Sequence, residues 1–116
     1  MRLRDLVDGN DCFGFIRREV VDGGEGHRAV DAVEDADGVL FLCPRCFKAN
    51  GGSVGTHAVL CWRPRVPADV DPKPGRWEFQ GTGLDDLTLV AGSSSILLLG
   101  GCGAHFFIRG GAIEGE

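Results

Sequence analysis

Two short clips, Cys43-Pro44-Arg45-Cys46 and Cys102-Gly103-Ala104-His105, stand far apart in a chain of 116 residues. Each leaves two residues between its donors, the spacing at which a tight turn aims both side chains at one ion. Three thiolates and an imidazole make an ordinary tetrahedral zinc set, so Cys43, Cys46, Cys102 and His105 are the expected ligands of a Zn2+ ion. Such a set ties the start and the end of one core together. With four protein ligands the ion has no open position for water or substrate, and its expected role is structural.

A rival, local set of Cys43, Cys46, His57 and Cys61 also has finger-like spacing. Its weakness is that residues 56–62 read as a strand. There His57 and Cys61 share a face but lie about 13 Å apart at roughly 3.3 Å per residue. Glycines 100, 101 and 103 around Cys102 supply the permissive backbone of a metal-binding turn, which favours the split set. Cys12 and Cys61 each stand alone in an apolar run and read as core thiols.

Five cysteines cannot all pair within one chain, and two-residue clips suit metal better than disulfides, so a reducing, cytoplasmic setting is expected. The Cys-Pro-Arg-Cys clip also invites a redox reading. That chemistry needs the first cysteine at the start of a sustained helix, whereas Gly51-Gly52 cuts any helix short. None of the three histidines opens a His-x-Glu motif, which removes zinc deaminase chemistry.

The net charge is −5, and it is unevenly placed. Residues 5–38 carry ten acids against Arg17, Arg18 and Arg28, whereas residues 39–116 balance seven against seven. The broad basic face of a nucleic-acid binder is missing, although Arg45 with Lys48, or Arg63 with Arg65, can form local patches. The longest late apolar run, residues 96–99, is far too short for a bilayer, so no membrane is expected. One domain over residues 1–116 is the default at this length. It divides into an acidic part, 1–38, and a zinc-binding β core, 39–116.

Glycine and short apolar runs set the expected architecture: mainly β, as a small α+β domain with zinc-ribbon-like knuckles on a compact antiparallel core and one short helix. Strands are expected at 12–18, 38–42, 56–62, 76–80, 87–91 and 95–100, with a closing hairpin over 106–114 that turns at Gly110-Gly111. The helix is expected at 28–37, where Ala29, Val30, Ala32, Val33 and Ala36 recur at three and four residue steps and Gly38 can end it. Four prolines in 63–75 predict an extended surface loop.

Residues Phe41-Leu42-Cys43-Pro44-Arg45-Cys46, Gly55-Thr56-His57, Gly75-Arg76-Trp77, residues 81–89 ending Asp86-Leu87-Thr88-Leu89, and residues 101–108 around Cys102 and His105 occur together and in this order. This pattern resembles a domain-of-unknown-function family of small zinc-binding proteins from phages and bacteria, over about residues 38–114. The resemblance implies that the first clip, the late Cys-x-x-His and the Asp-Leu-Thr-Leu stretch belong to the family's shared framework. It also implies a phage or bacterial accessory protein, in host cytoplasm where phage-encoded.

Two functional readings follow. The first is a non-enzymatic zinc-stabilised β module, an accessory or adaptor protein with a protein partner. The second is a small hydrolase or modifying enzyme in which His57 and Asp86 act as an acid and base pair beside the Ser93–Ser95 turn, with Ser95 as the candidate nucleophile. For His57, Trp77 and the Asp85-Asp86 pair the plainer roles are a strand-start histidine held by a carbonyl, a core tryptophan and a turn-capping Asp85.

Overall fold

The structure, a computed structural model, describes residues 1–8, 13–71, 76–90, 96–97 and 102–115. After a 3-10 turn at Leu3–Leu6, strands β1 (Gly14–Val21) and β2 (Gly24–Ala29) form a hairpin. Its two-residue turn is Asp22-Gly23, with φ of 48° and 79°. Both central residues lie in the left-handed region, as a turn matched to strand twist requires. β3 (Gly38–Leu42) pairs antiparallel with β1 and with β4 (Ala58–Trp62), giving one sheet in the order β2-β1-β3-β4. β5 (Glu78–Gln80) and β6 (Thr88–Val90) form a ribbon. β7 (Ile96–Leu97), β8 (His105–Arg109) and β9 (Ala112–Gly115) form a third sheet, whose β8–β9 turn falls at Gly110-Gly111 as expected. All these ladders are antiparallel, so the mainly β expectation stands.

The helix lies elsewhere than expected. Residues 28–37 hold only a 3-10 turn at Val33–Asp35, and the one α-helix among the described residues is α1 (Pro44–Asn50). The reason is competition. An isolated ten-residue helix is marginal because its first turn is costly to nucleate. The hairpin instead captures Arg28 and Ala29, which pair with Arg17 and Ile16. In α1, Pro44 occupies the first turn, where its missing N–H costs nothing, and Gly51 ends the helix.

The main core collects Leu3, Leu6, Phe15, Val39, Phe41, Leu87, Leu89, Ile96, Phe106 and Ile108 between the sheets. Phe41 of β3 meets Phe106 of β8 edge-on, with ring centroids 6.1 Å apart. This contact joins the first sheet to the third. The other face of the first sheet is also covered. Ile16, Trp62 and Val66 are buried together, because residues 63–71 fold back over the strands. Arg76 holds that loop by donating to the carbonyls of Val66 (3.2 Å), Pro67 (2.6 Å) and Val70 (2.8 Å), and Trp62 Nε1 donates to Asp71 O (2.8 Å). Residues 63–71 are therefore a cover as well as a connection. Among the described residues no helix is long and apolar enough to cross a membrane.

Candidate metal centre

Four side chains converge at one end of the core: Cys43, Cys46, His57 and Cys102, whose candidate ligand atoms all lie within 4.8 Å of one another. Each is placed by a different local rule. Cys43 directly follows β3 in an extended conformation and, fully buried, serves as the N-cap residue of α1. Its carbonyl accepts from Phe47 N at 2.9 Å, so the turn that starts the helix also brings Cys46 round to the same side. His57 precedes β4 and continues its ladder. Leu42 pairs with Ala58, and one step further Cys43 N donates to His57 O at 2.9 Å. Cys102 comes from the loop before β8, fixed by Arg45 Nη1, which donates to Cys102 O at 2.9 Å. The Cys43 and Cys102 sulfurs approach to 3.5 Å.

The expected clip at 102–105 is only half used, since the foursome takes in His57 where the sequence reading places His105. His105 is the first residue of β8, and strand alternation sets its direction. Phe106 and Ile108 point into the core, while His105 lies with Phe107, ring centroids 5.8 Å apart, on the opposite face. Cys61 is buried in the core as expected, and burial pushes its thiol far up. Cys12 lies outside the described residues.

The electrostatics suit a cation. Burial pushes the Cys43 thiol up to about 11, while a hydrogen bond with His57 draws Cys102 down to about 6. Crowded sulfurs with such opposed tendencies are stabilised together by a bound cation, because a coordinated thiol is deprotonated outright. A raised Cys43 is also the reverse of the activated first cysteine of a redox clip. The helix behind it ends at Asn50, as Gly51-Gly52 dictates. These residues can hold a metal ion.

The remaining site candidates are occupied elsewhere. Asp86 folds the 82–86 turn: its carboxylate accepts from Gly83 N (2.8 Å), Thr82 N (2.9 Å) and Thr82 Oγ1 (2.9 Å). Asp85 pairs with Arg4, Nε to Oδ1 at 2.6 Å. Trp77 packs against the main core. Ser93, Ser94 and Ser95 lie outside the described residues.

These turn contacts carry a pH consequence. The Gly83 and Thr82 donors hold the Asp86 carboxyl below its ordinary 3.8, and the Arg4 hydrogen bond does the same for Asp85. Groups depressed on folding stabilise above their unfolded pKa and lose that contribution as pH falls through the lower folded value. Thermal midpoints of the wild type are therefore expected to fall more steeply between about pH 5 and pH 2 than those of Asp86→Asn, whose turn has no charge to lose. Parallel curves from calorimetry would show that Asp86 does not anchor the turn.

No protein-family model, curated protein or solved structure matches this chain.

Proposed function

We propose that the protein is a non-enzymatic, zinc-stabilised β module that acts in the cytoplasm as an accessory or adaptor protein and binds a protein partner. The observation that carries the zinc reading is the close approach of three thiols and one imidazole, all within 4.8 Å. Zinc takes sulfur at about 2.3 Å, which puts the vertices of its tetrahedron about 3.8 Å apart. Small shifts reach that geometry, since the Cys43 and Cys102 sulfurs lie 3.5 Å apart and all the ligand atoms are within 4.8 Å. Soft thiolates with one imidazole favour zinc over the hard cations magnesium and calcium, which prefer oxygen. Four ligands close the site, which supports a structural ion rather than a catalytic one.

Two histidine substitutions test the ligand set. His57→Ala is expected to lose most bound zinc on dialysis against a mild chelator, whereas His105→Ala is expected to retain about one ion per chain, as four-ligand structural sites do. Metal analysis by mass spectrometry, with the visible spectrum of the cobalt-substituted protein as a readout of tetrahedral thiolate ligation, checks both. Retention by His57→Ala together with loss by His105→Ala would restore the split clip as the ligand set.

A further inference from the structure

We propose that the hollow between α1 and the β8–β9 edge docks an acidic peptide segment of a protein partner, with a carboxylate beside a hydrophobic side chain. This inference deepens the adaptor reading and rests on it. The hollow measures about 450 Å3, within the range of about 300–1,000 Å3 usual for ligand sites. Its floor is apolar: Pro44, Ala104 and Phe106 are buried, and Ile113 is half-buried. Arg45 and Lys48, both exposed, stand at its mouth.

Charge selects the occupant. The chain has 17 acids against 12 bases, yet among the described residues no aspartate or glutamate lines this hollow. Among the described residues neither Arg45 nor Lys48 pairs with a carboxylate. The bond from Arg45 Nη1 to Cys102 O fixes the guanidinium in place and leaves its other N–H groups to an incoming acceptor. The concavity lined by Arg17, Arg18, Glu19, Glu34, Asp35 and Arg65 differs in kind, because it mixes both signs and Arg65 already pairs with Asp37 at 2.9 Å. An apolar floor under two uncompensated cations matches a hydrophobic side chain flanked by carboxylates. A phosphate backbone fits less well, since two cations neutralise few phosphates and the molecule as a whole repels them.

The same walls hold the candidate metal ligands. Pro44 and Arg45 lie between Cys43 and Cys46, and Gly103 and Ala104 follow Cys102. Closing the clips on an ion therefore shapes the hollow, and docking depends on the metal.

The test is a titration of the isotopically labelled, zinc-loaded full chain with the peptide acetyl-Glu-Glu-Leu-Phe-Glu-amide, followed by amide chemical shifts. The corresponding Lys-Lys-Leu-Phe-Lys peptide and sodium acetate serve as comparison probes. Saturable shifts centred on Arg45, Lys48, Ala104 and Phe106, weakened about tenfold by Lys48→Glu, are expected from the acidic peptide alone. Absence of saturable shifts, equal binding of the basic peptide, indifference to Lys48→Glu, or shifts fully reproduced by acetate would each overturn the proposal. Metal content measured on the same sample separates the two readings. A folded, zinc-loaded chain that ignores the peptide removes the docking site and leaves the zinc module intact, whereas a metal-free chain removes the zinc reading whatever the peptide does.

Discussion

Cys43→Ser is expected to abolish metal retention and to leave a chain without a cooperative thermal transition near that of the wild type. Cys43 is fully buried where three structures meet: the end of β3, the start of α1 and the first step of the ladder toward β4. Its sulfur faces Cys102 at 3.5 Å, so it also links the first sheet to the loop before β8. In small zinc modules ion binding is worth on the order of 10 kcal/mol, which equals or exceeds the whole stability of many domains of this size. Serine removes the thiolate and leaves a hydroxyl in its buried place, adding a desolvation penalty of about 1–3 kcal/mol if it finds no partner. Chelation of the wild type is expected to reproduce the same loss. Cys61→Ala separates this effect from ordinary core packing. Its sulfur is just as buried but binds nothing, so the cost is on the order of 1 kcal/mol with metal retained. Circular dichroism melts with and without chelator, alongside metal analysis, read all three. A Cys43→Ser protein that melts like the wild type, metal-free, would end the structural-zinc account.

The legible parts of this fold were those specified by neighbours in sequence. Gly38–Leu42 is an apolar run that can only be an inner strand, and Gly110-Gly111 between alternating residues marks a hairpin; the structure has both. Asp22-Gly23 carried an equally direct hairpin signal. The helical spacing of alanines and valines in 28–37 competes with it, but that pattern is too short to outweigh the six paired positions of β1 and β2. The metal centre divides in the same way. Cys43 and Cys46 are a local clip, and Cys102 is marked by its glycines. His57 becomes a neighbour of Cys43 only through the antiparallel register of β3 on β4, in which positions 42 and 58 face each other. That relation arises from strand pairing across the connection that contains α1, and scanning for ligand spacing does not reveal it. A strand over 56–62 separates His57 from Cys61, and the pairing of that strand with β3 sets His57 beside the first clip.

Gly111→Ala is expected to destabilise the protein by at least about 3 kcal/mol, and Gly110→Ala by only about 1–2 kcal/mol. Both glycines sit in the β8–β9 turn with positive φ, 54° at Gly110 and 77° at Gly111. Each substitution therefore carries the same left-handed backbone penalty. Their surroundings differ. A Cβ at Gly110 meets nothing within 4 Å, whereas one at Gly111 would lie 2.1 Å from Asp85 O and 2.8 Å from Arg2 Nη2. No rotamer relieves a clash with backbone, so the turn or the Asp85 segment has to move. Neither can move cheaply. Gly111 N donates to Leu87 O at 2.8 Å, Gly111 O accepts from Leu3 N at 2.8 Å, and Arg2 Nη2 donates to Asp85 O at 2.6 Å. One residue thus fastens the first 3-10 turn, the segment entering β6 and the last hairpin to one another, above the fully buried Leu3, Leu87 and Ile108. Displacing it breaks two backbone hydrogen bonds and opens that packing together. Urea unfolding of the two variants is the measurement. Equal midpoints for Gly110→Ala and Gly111→Ala would mean that the left-handed backbone alone sets the cost, and that the three segments are not locked through Gly111.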